Sequence, residues 1–317
     1  MSRDPKQAMQ AVLDEVSKAV IGQQQVADDL LAALVAGGHV LLQGVPGVAK
    51  TLMVKALARS LDLTFRRVQF TPDLMPSDVT GNVILDANRS DLRFRKGPVF
   101  TNLFLADELN RTPPKTQAAL LEAMEERQVS AEGESHPLPS PFMVIATQNP
   151  IEYEGTYPLP EAQLDRFLLQ VNVGYPAAAD ERLVLAMHNS GADPHDLASL
   201  GVGPVAGAGD IQAAAAQARQ ITVSDEVIDY IQRLADATRT SPSTSLGVSP
   251  RGAAMLLTVS KAAAWLAGRD FLTPDDIKAL IKPAWRHRIL LRPEVEIEGG
   301  RTDAVLDGVA ERVAVPR

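Results

Sequence analysis

Gly44-Val45-Pro46-Gly47-Val48-Ala49-Lys50-Thr51 follows the apolar run Val40-Leu41-Leu42 and opens the amphipathic run that begins at Leu52. A strand, a glycine-containing turn and a helix N-terminus aim backbone N–H groups and the positive end of a helix dipole at one point, where an anion is held. Lys50 adds an ammonium for β- and γ-phosphates and Thr51 a hydroxyl for Mg²⁺, so residues 44–52 predict a nucleoside-triphosphate site. One position departs from the usual G-x-x-x-x-G-K-[ST] pattern, because Ala49 stands where the second glycine is expected. A left-handed backbone there would cost a residue with a Cβ about 1 kcal/mol, and a near-helical one almost nothing. Taken alone, the loop also fits a chance glycine turn with an exposed lysine.

Two further apolar segments end in chemistry. Leu103-Phe104-Leu105-Ala106 runs into Asp107-Glu108, placing two carboxylates at the C-terminal end of a buried strand, where open α/β sheets hold their ligands. Asp107 reads as the Mg²⁺ partner and Glu108 as the base for an attacking water; the alternative is an acidic strand end facing solvent. Phe142-Met143-Val144-Ile145-Ala146-Thr147 ends in Gln148-Asn149. The Asn149 amide could hold water or touch a γ-phosphate without adding charge, or could be a turn former beside Pro150.

These strand ends, in this order, resemble the AAA+ ATPase superfamily, and the flanking sequence is similar to its MoxR family. The resemblance rests on Ile21-Gly22-Gln23, GVPGVAKT at 44–51, LADELNRTPPKTQAALLEAMEE at 105–126, ATQNP at 146–150, LPEAQLDRF at 159–167 and Ser249-Pro250-Arg251. It covers nearly the whole chain apart from the last two dozen or so residues, and Ala49 is a familiar variant within it. It implies a P-loop α/β core with a parallel central sheet over 1–175, a smaller all-α lid over 176–295 and a C-terminal tail over 296–317. It further implies that Ile21 and Gly22 contact the adenine of ATP and that Asn149 senses its γ-phosphate. Arg166 corresponds to the arginine finger reaching a neighbouring subunit's nucleotide, so hydrolysis requires a ring, by resemblance a hexamer. Arg251 matches the sensor-two arginine, which closes the lid on the γ-phosphate. Without the family, Arg166 is a surface charge partnered by Asp165, and Arg251 an exposed residue after an N-cap serine and a proline at the first helical position.

Composition agrees with a two-domain enzyme. The 317 residues exceed the usual single core, 45% are hydrophobic and only 4% aromatic, so aliphatic side chains fill the interior. No apolar run approaches the roughly 20 residues that span a bilayer, which predicts a cytoplasmic protein. The absence of cysteine removes disulfides, thiolate metal sites and cysteine nucleophiles. His39, His136, His188, His195 and His287 are scattered without helical zinc spacing, so no metal beyond Mg²⁺ is implied. There is no G-x-S-x-G elbow, and Gly201-Val202-Gly203 lacks the preceding strand of a dinucleotide site.

Along the chain, residues 5–36 read as helical with an interruption at Gly22-Gln23. Val83 to Phe94 reads as a hairpin about the turn Asp86-Ala87-Asn88-Arg89, and 129–138 as a second hairpin; both sit at insert positions of the resembling family and are candidates to grip a substrate. The Gly/Ala/Pro-rich passage 191–209 reads as a surface excursion. Helices are predicted over 225–239, 250–267 and 274–281, and the residues beyond Glu294 as a polar, partly disordered tail. The resemblance implies a chaperone-like remodeller of partner complexes, among them von Willebrand A domain proteins or metal-cofactor enzymes. No D-x-S-x-S sequence occurs, so an adhesion-type metal site would come from a partner. Two alternatives stay open: a nucleic-acid motor, against which the net charge of −8 argues, and a slow nucleotide switch.

Overall fold

Near-continuous apolar runs such as Leu103–Asp107 and Met143–Gln148 cannot show one face to water, and both lie inside a parallel sheet covered on its two faces. The computed structural model describes residues 4–85, 92–149, 155–191, 193 and 196–316. In chain order, α1 (Pro5–Ala19) and α2 (Gln24–Ala36) precede β1 (Val40–Gln43), α3 (Lys50–Ser60) and β2 (Phe65–Gln69). A short α4 (Pro76–Thr80) leads to β3 (Gly81–Leu85) and β4 (Leu92–Lys96), then β5 (Leu103–Asp107) and α5 (Pro114–Glu126). Next come β6 (Gln128–Ala131), β7 (Glu134–Pro137), β8 (Met143–Gln148), α6 (Glu161–Leu164) and β9 (Leu169–Asn172). The remainder is mostly helical: α7 (Ala178–Asn189), α8 (Ala208–Arg219), α9 (Asp225–Arg239), α10 (Pro250–Leu266), α11 (Pro274–Trp285), α12 (Pro293–Ile297) and α13 (Thr302–Arg312), with β10 (Thr244–Leu246) pairing β11 (Leu290–Leu291).

The five-stranded sheet has the order β2-β5-β8-β1-β9, all parallel. The chain leaves β1 for the far edge at β2, returns through β5 and β8, and crosses β1 to reach β9. The C-terminal ends of β1, β5 and β8 therefore lie side by side, with Gln43 in register with Gln148. Consecutive strand residues point to opposite faces. Leu42, Leu105 and Ile145 face α1, α2 and α3, whereas Leu41, Phe104, Ala106 and Val144 face α5 and Phe167. Tyr230, Leu256, Trp265 and Trp285 of the lid belong to the same apolar cluster as the first face, so the lid shares one core with that side of the sheet. His39 fixes the start of β1: its Nδ1 accepts from Val144 N–H (2.9 Å), its Nε2 donates to the Met124 carbonyl (3.1 Å), and burial holds its pKa down at about 4.

Two antiparallel hairpins stand off the sheet, β3–β4 and β6–β7. Glu132 and Gly133 both take positive φ, as a two-residue hairpin turn requires. The hairpins touch, with Phe94 stacked on His136 at 4.3 Å between ring centroids. The predicted turn Asp86–Arg89, Pro150 and His195 lie outside the described residues.

The helical part adds to or departs from the sequence reading in three places. The passage 191–209 is irregular up to Gly207 and largely at the surface where it is described, but it is anchored: Val202 and Ala206 are buried, Val205 and Ala206 N–H donate to the Ser60 carbonyl, and Gly203 N–H donates to Glu15. Satisfied backbone polar groups, which composition does not reveal, make this burial possible. The alanine run 213–216, unassigned from sequence, lies in α8, packed on α1, α2 and α10. The tail is also ordered into a helix, because Leu306 and Val309 form a buried stripe on α13 against α9 and α11, with Asp303 and Asp307 paired to Arg286 and Lys282.

Candidate nucleotide site

The turn after β1 is shaped by two close fits. A Cβ on Gly44 would stand 2.3 Å from the Val173 carbonyl oxygen at the end of β9, so only glycine lets the loop leave the sheet there. Gly47 takes φ +85° and Ala49 φ +61°, the left-handed region. The open question at Ala49 is thus answered: the position is the one a glycine would fill without strain, and it caps α3. Lys50 turns back over the loop and donates to the Gly44 carbonyl. Burial pushes the Lys50 ammonium pKa down, while Asp107 and Glu108 pull it up, so the two carboxylates face the lysine.

Asp107 is only 8% exposed and both its oxygens are engaged. Oδ1 accepts from the Thr147 hydroxyl (2.6 Å), and Oδ2 accepts from Arg67 Nε and Nη2 (2.9 and 2.7 Å). Oδ2 has both lone pairs taken by Arg67, while Oδ1 keeps a further one, through which the carboxylate can still hold the water shell of a cation. The Thr147 hydroxyl also accepts from Glu108 N–H (2.8 Å), tying the two acidic residues together. Glu108 has φ +57° and is ion-paired to Arg111 at 3.0 Å. Thr147 and Arg67 were not singled out from sequence; Thr147 directly precedes the Gln148-Asn149 strand end, and Arg67 lies on edge strand β2, where charged side chains are ordinary.

A cavity of about 520 Å³ joins these parts. Pro46 to Leu52 form one wall, Asp107, Glu108, Thr147 and Asn149 the floor, and Ile21 with Val184, Met187 and His188 of α7 the opposite side. Gly22 lies beside it with φ +74°, and a Cβ there would strike Asp180 of α7 at 2.7 Å. Gly44 and Val45 lead into the loop without lining the cavity. The volume and the mix of apolar walls with convergent polar groups suit a nucleotide.

Arg166 and Arg251 are elsewhere. Both line a second cavity of about 210 Å³ with Glu125, Arg127, His39 and Met255. Glu125 bridges them: Oε2 pairs with Arg166 at 2.9 Å and Oε1 with Arg251 at 3.2 Å. The structure therefore does not bring Arg251 to its own phosphate loop, as lid closure on the γ-phosphate would require. It places Arg251 beside Arg166, because Ser249 and Pro250 start α10 next to the Asp165–Leu168 loop.

The family described as ATPase family associated with various cellular activities (AAA) matches residues 39–169, and the AAA lid domain matches 236–309. Protein MoxR of Methylorubrum extorquens is 33% identical over 95% of this chain and 93% of its own length, and Chaperone MoxR1 of Mycobacterium tuberculosis is 40% identical over 98% and 82%. The chain belongs to the MoxR family of AAA+ ATPases. YeaC of Bacillus subtilis is 45% identical to this MoxR-family chain over 96% of it and 93% of YeaC. A crystal structure from Cytophaga hutchinsonii, of a protein described provisionally as an ATPase, superposes with a TM-score of 0.90 at 39% identity, covering 99% of this chain and 96% of that one. Among the described residues no helix is long and apolar enough to cross a membrane.

Proposed function

We propose that this MoxR-family chain hydrolyses ATP with Mg²⁺ as a ring, hexameric by family resemblance, and uses the cycle to remodel partner proteins in the cytoplasm. The observation that carries the reading is the division of labour just described: Lys50, Thr51, Asp107, Glu108 and Asn149 converge on one cavity, and two arginines suited to phosphate charge converge on another. Lys50 and the loop N–H groups bind the phosphates, Thr51 and Asp107 hold Mg²⁺, Glu108 takes the proton of the attacking water, and Asn149 orients that water. Mg²⁺ when bound supplies charge neutralisation on the phosphate oxygens. The donor set fits it, being an alcohol and a carboxylate with a spare lone pair on Oδ1 beside an ammonium. Arg166 and Arg251 meet the γ-phosphate of a neighbouring copy, since they lie apart from their own loop.

Support for a protein substrate comes from the Mycobacterium tuberculosis relative, named a chaperone. A von Willebrand A domain protein or a metal-cofactor enzyme is the partner class the family resemblance suggests. A second reading, a nucleic-acid motor, draws on Arg93, Arg95 and Lys96, exposed along β4 with Lys96 over the Phe100 ring, though the chain carries a net charge of −8.

Steady-state ATPase activity against protein concentration, with light-scattering mass in ATP and with or without single-stranded DNA, tests both. A specific rate that climbs as a ring-sized species forms, unmoved by DNA, is expected. Lys50→Ala should lose tight nucleotide binding and Glu108→Gln should bind without turnover. Concentration-independent turnover refutes the ring, and strong stimulation by DNA puts the motor first.

A further inference from the structure

Arg288, which follows α11, is the most deeply buried cation whose bonds are described. Its side chain is 1% exposed, and it crosses from the lid into the loop that carries Arg166. Nε donates to Asp165 Oδ1 at 2.8 Å, and the two terminal nitrogens donate to the carbonyls of Asp165 (3.2 Å), Phe167 and Leu168 (3.3 Å). The adjacent His287 reaches the Phe167 carbonyl at 3.0 Å. The residues on both sides of Arg166 are therefore held by one guanidinium.

The stem of the same side chain reaches Arg251. A Cβ on Gly252 would stand 2.7 Å from Arg288 Cδ, so the residue after Arg251 is a glycine where Arg288 passes. Trp285, three residues before Arg288, donates its indole N–H to the Gly252 carbonyl at 3.0 Å. One lid segment thus grips the backbone next to Arg166 and next to Arg251, while Glu125 joins their guanidinium groups at the other end.

A buried ion pair adds little to stability compared with an apolar replacement of the same volume, so packing alone does not call for this arrangement. A planar fork that satisfies a carboxylate and several carbonyls does fix geometry. We propose that Arg288 is the positioning residue that holds Arg166 and Arg251 at a set spacing, so that a neighbouring copy's nucleotide meets both as one unit. The proposal rests on the reading that the two arginines act on a neighbour. Arg288 touches no phosphate and acts only through the Arg166 loop and the start of α10.

The test is complementation between variants of the full chain. Arg288→Lys keeps the charge but loses the fork; its kcat should fall at least tenfold while binding of fluorescent ATP stays within about twofold. Mixed one to one with Glu108→Gln, which has intact arginines and no base, it should recover about a quarter of the parental rate, the share of interfaces that pair a sound arginine face with a sound base in a randomly mixed head-to-tail ring. Gly252→Ala, which displaces the Arg288 stem without changing any charge, should behave in the same way and serves where Arg288→Lys does not fold. Arg166→Ala mixed with Glu108→Gln reads the trans assignment separately. If that pair recovers and Arg288→Lys alone turns over at the parental rate, the proposal is overturned and the trans reading stands. If the Arg166→Ala pair stays dead, the trans reading falls. Loss of ATP binding by both Arg288→Lys and Gly252→Ala would make Arg288 a structural residue and overturn the proposal as well.

Discussion

Ala49→Gly isolates the strain in the phosphate loop. Ala49 holds φ +61° and ψ +18°, where a Cβ costs about 1–2 kcal/mol. Glycine removes that cost but adds about 0.4–1 kcal/mol through the greater freedom of the unfolded chain. The balance is a gain of about 0–1.6 kcal/mol, centred near 0.8. Ala216→Gly is the control: Ala216 is exposed in the interior of α8, where the same substitution meets no strain and costs about 1 kcal/mol. The two denaturation midpoints of the nucleotide-free protein should separate by about 1–2.6 kcal/mol when converted through a common slope, with Ala49→Gly the higher. ATP affinity should change by less than about threefold, because the glycine keeps the backbone geometry that Ala49 already has. An Ala49→Gly midpoint lowered as far as that of Ala216→Gly would refute the reasoning, since it would mean that no strain is stored in the loop.

Two further predictions concern single side chains. Thr147→Val keeps the shape of the side chain but removes the hydroxyl that donates to Asp107 and accepts from Glu108 N–H. The turnover number should drop about tenfold with ATP affinity within about threefold, and an unchanged kcat would refute the coupling of the two carboxylates. Asp29 on α2 is 6% exposed, and burial raises its pKa to about 6, against an opposing hydrogen bond from Gln25. The folded chain therefore holds this proton more tightly than the unfolded chain. The contribution of Asp29 to stability is full below pH 4 and is lost as pH rises through about 6, for up to about 3 kcal/mol. Asp29→Asn should raise the denaturation midpoint at pH 7 and leave it unmoved at pH 4; an equal gain at both values would assign the effect to packing.

The strand–turn–helix geometry around residues 44–51 was legible because its signals are local. Backbone conformation, a lysine and a threonine over eight residues fix where an anion can sit, and the apolar runs around 103 and 143 are long enough to place their own C-terminal ends. The partners that orient those ends were not legible. Arg67 meets Asp107 from 40 residues away, Thr147 from 40, and Glu125 meets Arg251 from 126; nothing local in the sequence pairs them. The same blindness explains the passage 191–209, whose glycines and prolines read as a loop while its hydrogen bonds to Ser60 and Glu15 decide that it is anchored. At α13 the signal was present, since Val305, Leu306, Val309 and Ala310 have helical spacing, but the charged residues around them obscured it.

The placement of buried bonds also says where the molecule can change shape at least cost. A hinge between sheet and lid near Arg288 must open a buried ion pair and three carbonyl contacts, and stranding a buried charge costs about 3–5 kcal/mol. Motion at α7 meets no such barrier, for none of its residues is buried, and Leu183 and Leu185 stand more than half exposed. Yet α7 connects β9 to the rest of the lid, lines the nucleotide cavity through Val184, Met187 and His188, and lies against Gly22. A ligand that fills this cavity therefore acts first on the element least restrained by the core, while the two arginines stay fixed to each other. In the proposed function, binding at one face and presentation of charge at another would thus fall to parts of unequal stiffness, which would let the first adapt without disordering the second.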